Sequence, residues 1–253
     1  MADLHLVADL LDAAARLGAS LSPLAIKHGL TLDEAYAIQN ELVARRLTRG
    51  DGLTGLKMGF TSEAMRRQMN VKAPNIGWLT SGMALSDHEF PVDAFIHPRL
   101  EPEVAILLGR DIDGPAEMES LRGCVKAYAP AIELVDSRFH DYKFAWLDNV
   151  ADNSSSAGYV LGPWVGAECD VGALRATLSL DGAIVDEGES SAVMGHPLLS
   201  LAEGARIAHS LGKSLRAGMV VLTGGITRAH PILAGQTATA DFGDFGQVTL
   251  TAR

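Results

Sequence analysis

The sequence predicts an α+β fold, a mixed β-roll or barrel-like core with flanking helices, preceded by an N-terminal helical portion. Helical periodicity dominates before Leu53, and short β-type runs bounded by Gly, Pro and Asp dominate after it. Asp181-Gly182, between two alternating runs, is a two-residue hairpin signal. No Gly-x-Gly-x-x-Gly follows a strand, so a Rossmann fold is not indicated, and Gly224-Gly225 reads only as a turn. The expected division is a helical portion over 1–52 and the main domain over 53–253.

The first helix is expected over about 2–18, with Leu4, Val7, Leu10, Leu11 and Ala14 on one side. A Ser/Pro linker, Ser20 to Pro23, separates it from a second helix over about 32–48, which Thr31 and Glu34 open as a capping box. Ala35, Ile38, Leu42 and Leu47 fit its apolar face. Strands are expected at 53–60, 104–108, 125–135, 158–161, 176–180, 183–186, 220–223, 237–242 and 248–251. Two helices interrupt them, one over 62–70 capped by Ser62 and one over 198–212 with Pro197 in its first turn. Arg66 and Arg67 should form a solvated face of the first of these.

With 253 residues, 47% of them apolar, the chain can bury one large core. Its net charge of −10 argues against wrapping nucleic acid or lying on an anionic membrane. Cys124 and Cys169 are too few for a disulfide framework or a cysteine zinc site. No apolar run reaches the ~18 residues of a membrane span, and the acidic N-terminus does not read as a signal peptide. A soluble, cytoplasmic protein is expected.

Four stretches carry candidate chemistry. In His97-Pro98-Arg99-Leu100-Glu101-Pro102-Glu103, an extended chain points Glu101 and Glu103 to one side. Two such carboxylates repel unless a cation lies between them, and the plain alternative is a solvated strand edge ended by Pro102. Glu133 lies inside the apolar run Ala129–Val135, where it needs a metal, an ion pair with a residue such as Arg138, or an exposed face. Three glutamates on two strands would form an all-oxygen site suited to Mg²⁺ or Mn²⁺. Lys57, in a β-type run ending at Gly59, is either a surface residue or a cation held toward a pocket; beside a dication its pKa would fall, which suits proton transfer. The run Val150-Ala151-Asp152-Asn153-Ser154-Ser155-Ser156-Ala157-Gly158 is either a simple turn or a carboxylate-binding loop. The scattered histidines and the absence of a Gly-x-Ser-x-Gly elbow give no support to a serine hydrolase.

Together these stretches resemble the hydratase and decarboxylase branch of the fumarylacetoacetate hydrolase superfamily. The segments that carry the resemblance are LKMGFTS (56–62), HPRLEPEVAILLG (97–109), AIELVDSRF (131–139), VADNSSSAGYVLG (150–162), GHPLLSLA (195–202) and AGMVVLTGGIT (217–227). The resemblance implies a lyase with Glu101, Glu103 and Glu133 as ligands of Mg²⁺ or Mn²⁺, Lys57 assisting by charge or proton transfer, and Ser155 binding a substrate carboxylate. The substrate it implies is a small 2-oxo dicarboxylate. The HPRLEPE and SSS wording favours decarboxylation of 2-oxo-3-hexenedioate over hydration of 2-oxopent-4-enoate. So does Asn75, which stands in Pro74-Asn75-Ile76-Gly77 where the hydratases commonly carry an acid. A homo-oligomer, and association with a partner hydratase, are also implied. The non-enzymatic alternative is a metal-stabilised binding module, which would not need Lys57.

Overall fold

The computed structural model describes residues 3–68 and 71–253. The helical portion comprises α1 (Leu4–Leu17), a short α2 (Ala25–His28) and α3 (Leu32–Thr48). Asp3 caps α1 by accepting from the Leu6 N–H at 3.1 Å, and Gly18 ends it at φ 62°. The Thr31–Glu34 capping box is present in both directions. Val7, Leu11, Ala35 and Ile38 are buried as expected, but Leu47 is exposed. At about 100° per residue it lies roughly a quarter turn from the centre of the stripe formed by Ala35, Ile38, Gln39 and Val43. The start of the helix expected at residue 2 lies outside the described residues.

The rest of the chain runs β1 (Leu53–Gly59), α4 (Glu63–Gln68), β2 (Asn75–Thr80), β3 (Glu89–Phe90), β4 (Arg99–Leu108), α5 (Met118–Arg122), β5 (Val125–Val135), α6 (Trp146–Ala151), β6 (Ser156–Leu161) and β7 (Val165–Gly166). It continues with β8 (Arg175–Leu180), β9 (Ala183–Glu189), α7 (Pro197–Ser210), β10 (Val220–Leu222), β11 (His230–Pro231), β12 (Thr237–Asp241) and β13 (Gln247–Ala252). Of the helix expected over 62–70, residues 69–70 lie outside the described residues.

One sheet has the order β2-β1-β10-β4-β5-β6, with β11 beside β4 and β7 beside β5. It curls into a half-barrel, and α7 packs against β1 and β2. The second sheet runs β3-β13-β12-β8-β9. Its β8–β9 hairpin turns at Asp181 (φ 50°) and Gly182 (φ 82°), the left-handed pair that the dipeptide requires. The strand β2 was not anticipated, because Gly77 interrupts its apolar run. A Cβ at Gly77 would sit 2.4 Å from the Asn153 carbonyl oxygen, so glycine allows that turn to reach the strand.

The helical portion is bonded to the sheet region rather than merely apposed. The Gln39 side-chain amide donates to the carbonyls of Ile76 and Val150, both at 2.8 Å. Asp148 accepts from the Leu24 and Ala25 N–H groups at 2.7 and 2.6 Å. Val7, Leu11 and Ile38 join the same buried cluster as Leu56, Ile76 and Val150. Among the described residues, no helix is long and apolar enough to cross a membrane.

Candidate active site

The two-residue period of β4 places Arg99, Glu101 and Glu103 on one face. Antiparallel register sets Glu133 of β5 directly opposite Glu101. Carboxylate oxygens of the three glutamates lie within 4.8 Å of one another. Glu103 and Glu133 are fully buried, and Glu101 is half-buried. The solvated-edge alternative therefore fails, since β4 is interior, between β10 and β5. Nor does Glu133 pair with Arg138, whose guanidinium is bound to Asp152.

The cluster is short of partners. Glu103 Oε2 accepts from the Gly224 N–H at 2.7 Å, but Glu103 Oε1 and Glu133 Oε1 lack hydrogen bonds. Lys57 Nζ lies 3.0 Å from Glu133 Oε2. Burial pushes the Glu101 carboxyl up to about 7 and Glu103 well above its ordinary range; for Glu133, burial outweighs the neighbouring ammonium. Burial opposes the charge on Lys57, but Glu133, Glu101 and Glu103 together outweigh it and raise its pKa. This is opposite to the shift expected beside a dication, because carboxylates are its neighbours here. One ammonium cannot balance three buried carboxylates, and hard, converging, unsatisfied oxygens fit a Mg²⁺- or Mn²⁺-sized ion.

The Gly224-Gly225 turn proves to be part of this site. Gly224 has φ 112°, and a Cβ there would lie 2.2 Å from Thr61 Oγ1. One at Gly225 would lie 3.0 Å from Glu101 Cδ. Glycine thus lets the turn close over the carboxylates while its N–H reaches Glu103.

The serine run is a tight turn and also a wall of the site. Asn153, Ser154 and Ser155 are all left-handed, with φ of 50°, 54° and 57°. Three such residues in succession are costly and persist only where surroundings hold them. The Asn153 side chain does so by pairing with both backbone groups of Trp78, at 2.8 and 2.9 Å. Arg138, buried against the Asp152 carboxylate and backbone, holds the entry to the run and donates to the Ser156 carbonyl at its exit at 3.4 Å.

This geometry rearranges the expected roles. Lys57 Nζ donates to the Ser154 carbonyl at 3.1 Å, so Ser154 is the serine that contacts the lysine. Ser155 also lines the cleft, with its hydroxyl taken by Asn149 at 3.1 Å. Asn75 is fully buried behind that wall, donating to Asn149 Oδ1 at 2.8 Å and accepting from Ser154 Oγ at 3.0 Å. The structure therefore places Asn75 as a support of the wall rather than part of its surface. Arg66 is likewise not simply solvated: it donates to the Phe60 and Thr61 carbonyls at 2.7 and 2.9 Å.

Lys57, Glu101, Ser154 and Ser155 line a cleft of about 860 Å³. Its outer rim carries Arg99, Tyr142, Asp186, Arg228 and His230. The Arg99 guanidinium lies 4.1 Å from the centre of the Tyr142 ring and has no carboxylate partner among the described residues. Arg228 and His230 both pair with Asp186, at 3.3 and 2.7 Å. Asp136 braces the entry to β4, accepting from the Ile96 and His97 N–H groups at 2.9 and 2.8 Å. Arg99 was not singled out in the sequence, although its parity with Glu101 and Glu103 could have found it. Tyr142 and the Asp186 cluster carry no local signal. The cleft thus offers a polyanionic metal-type pocket with one buried ammonium at its floor and an unneutralised guanidinium near its mouth.

The sequence profile of the fumarylacetoacetate (FAA) hydrolase C-terminal family matches residues 56–252. The chain is 38% identical over 246 residues to a 4-oxalocrotonate decarboxylase of Pseudomonas sp, covering 97% of this chain and 96% of that one. It is 39% identical over 223 residues to a 2-keto-4-pentenoate hydratase of Burkholderia vietnamiensis, covering 86% and 84%. Among solved structures, it superposes with a TM-score of 0.95 on 4-oxalocrotonate decarboxylase from Pseudomonas putida G7 complexed with magnesium and adipate. The identity there is 29%, over 99% of this chain and 97% of that one.

Proposed function

This chain belongs to the fumarylacetoacetate hydrolase family, and we infer that within it the chain is a metal-dependent carboxy-lyase. It converts 2-oxo-3-hexenedioate (4-oxalocrotonate) to 2-hydroxypenta-2,4-dienoate and CO₂. The observation that carries this reading is the single face of β4, which holds Glu101 and Glu103 at one end and an unpaired Arg99 at the other. Two strand residues span about 7 Å, comparable to an extended six-carbon dicarboxylate. The relatives support it: a decarboxylase aligns over nearly the whole chain, and the superposed decarboxylase was complexed with magnesium and a six-carbon dicarboxylate.

Glu101, Glu103 and Glu133 would hold Mg²⁺ or Mn²⁺, which when bound supplies Lewis-acid stabilisation for a 2-oxo acid. Arg99, stacked on Tyr142, takes the distal carboxylate and aligns the bond to be broken with the conjugated system. That bond's electron pair moves through the C3–C4 unsaturation to the C2 oxygen, giving a dienolate as CO₂ leaves. Lys57, fixed by the Ser154 carbonyl and Glu133, places its ammonium to stabilise charge on that oxygen and deliver its proton there. Asn75 and Asn149 keep the serine turn in place, and Ser155 completes the wall behind the substrate. The carboxylates of the rim and floor must not surround the departing group, and Asn75 adds no further negative charge behind it.

The second reading, hydration of 2-oxopent-4-enoate, has the hydratase relatives in its favour. Incubating the protein and Mg²⁺ separately with 2-oxo-3-hexenedioate and 2-hydroxypenta-2,4-dienoate separates the two. CO₂ release from the first is expected; rapid hydration of the second with no CO₂ from the first would overturn the decarboxylase reading. The same reading carries a cytoplasmic location, a homo-oligomer and association with a partner hydratase. The division at residues 52 and 53 is supported by a family profile that begins at residue 56.

A further inference from the structure

Behind the serine turn lies a second cavity, of about 210 Å³, between α1, α3 and the segment from Asp152 to Ser156. Its lining includes four guanidinium groups, Arg16, Arg46, Arg49 and Arg138, against two carboxylates, Asp12 and Asp152. This is a positive enclosure in a chain of net charge −10. Three of the four cations are engaged. Arg138 is bound to Asp152, Arg49 grips Asp12 through two nitrogens at 2.8 and 3.1 Å, and Arg16 reaches Asp12 at 3.7 Å. The fourth, Arg46, has only a loose ion pair and no hydrogen bond in it: its carboxylate, Asp51, is 3.9 Å away and already accepts from Thr80 Oγ1 at 2.7 Å. Arg46 is half-buried, and burial together with the nearby Arg138 disfavours its charge. A guanidinium in that setting lacks the planar acceptor it is shaped to bind.

We propose that this cavity is a second, anion-binding site, taking a small oxyanion of the carboxylate or phosphate class on Arg46. Asn153 and Ser156 line it, whereas Ser154 and Ser155 line the reaction cleft. The two cavities thus share one turn of successive left-handed residues. An anion drawn toward Arg46 and Arg138 bears on Asp152 and Asn153, and through them on the Ser154 carbonyl that fixes Lys57. Occupancy therefore tunes turnover from behind the wall, without entering the cleft. The binding claim stands whatever reaction the cleft performs.

The test is titration calorimetry of inorganic phosphate, and separately acetate, into the Mg²⁺-loaded wild type and the Arg46→Met, Arg46→Lys and Glu133→Gln variants. At least one anion should bind the wild type and Glu133→Gln alike, and bind Arg46→Met about tenfold or more weakly, the loss expected for a charge-assisted hydrogen bond. Arg46→Lys, which keeps the charge but not the planar fork, should show a loss intermediate between wild type and Arg46→Met. The tighter of the two anions identifies the chemical source. Saturation should change wild-type turnover at least twofold and leave Arg46→Met unaffected. Should Arg46→Met prove misfolded by circular dichroism, Arg16→Gln, at an exposed position, replaces it with an expected loss of a few-fold. Absence of binding to the wild type, binding undiminished in the Arg46 or Arg16 variant, or binding abolished by Glu133→Gln would each overturn the proposal.

Discussion

Replacing Lys57 with Met keeps the length of the side chain and removes one charge from a pair that is almost wholly buried. In the metal-free protein, Glu133 would then have no cation against it among the described residues. Breaking a buried pair costs about 3–5 kcal/mol when the remaining charge has no escape. Glu133 does have one, because it can take up a proton. Neutralising a carboxyl with an ordinary value of 4.5 at pH 7 costs about 3 kcal/mol, at 1.36 kcal/mol per unit. That sets the ceiling, and it falls to about 1 kcal/mol at pH 5.5. At roughly 2–4 °C per kcal/mol for a chain of this size, the melting temperature in EDTA should drop by at most about 6–12 °C at pH 7 and by no more than a few degrees at pH 5.5. Saturating Mg²⁺ should recover most of the loss, since the dication replaces the missing positive charge; at a hundredfold excess over Kd it contributes about 2.7 kcal/mol. Turnover should not recover, and kcat should stay down by about 10²–10⁴. Thermal unfolding with and without EDTA at the two pH values, followed by steady-state kinetics in Mg²⁺, reads every arm. A Lys57→Met protein as stable as the wild type in EDTA at pH 7 would refute the charge-pair reasoning, and full activity in Mg²⁺ would refute the catalytic role.

Glu101→Gln and Glu133→Gln should each weaken Mg²⁺ binding at least tenfold and abolish most turnover while leaving the circular dichroism unchanged, as read by metal titration. Arg99→Gln should raise KM for the six-carbon dicarboxylate by about 10–100-fold, the worth of a charge-assisted hydrogen bond, with Mg²⁺ affinity unaltered; an unchanged KM would remove Arg99 from substrate binding. Asn75→Asp replaces a buried donor to Asn149 with an acceptor and adds charge behind Ser154, so both melting temperature and decarboxylation should fall, by about 1–3 kcal/mol in stability. In EDTA, the raised carboxyls of Glu101, at about 7, and Glu103 mean that the folded state binds protons the unfolded chain does not. Stability of the metal-free protein should therefore rise as pH falls from about 7 toward the ordinary carboxyl range, and Mg²⁺ should suppress that trend.

Much of this was legible because short-range rules govern it. The capping box at Thr31, the hairpin at Asp181-Gly182 and the common face of Glu101 and Glu103 each follow from a fixed local period or turn chemistry. Glu133 was legible as an anomaly, a charge in an apolar run, but its partner was not. Arg138 is close in sequence, yet it serves Asp152, and the cation that reaches Glu133 comes from β1. Asn75 and Ser155 were singled out as candidates, while their orientation depends on three left-handed residues that composition does not announce. The strand β2 was hidden by Gly77, whose reason is a contact with Asn153, 76 residues away. Gly224-Gly225 looked like punctuation because the carboxylates it cradles lie more than a hundred residues earlier.

That dispersion governs how the chain acquires its site in time. The Lys57–Ser154 and Gly224–Glu103 contacts close separations of 97 and 121 residues, and such closures come late because the chain must lose its loop entropy before they form. Glu101 and Glu133 already face each other once β4 pairs with β5, and the late closures complete the site by adding the serine turn behind Lys57 and the Gly224 N–H against Glu103. A dication that binds only the completed arrangement acts after the rate-limiting ascent. Mg²⁺ should then leave the refolding rate nearly untouched and slow unfolding. Its concentration would set the lifetime of the native chain rather than the speed of its birth.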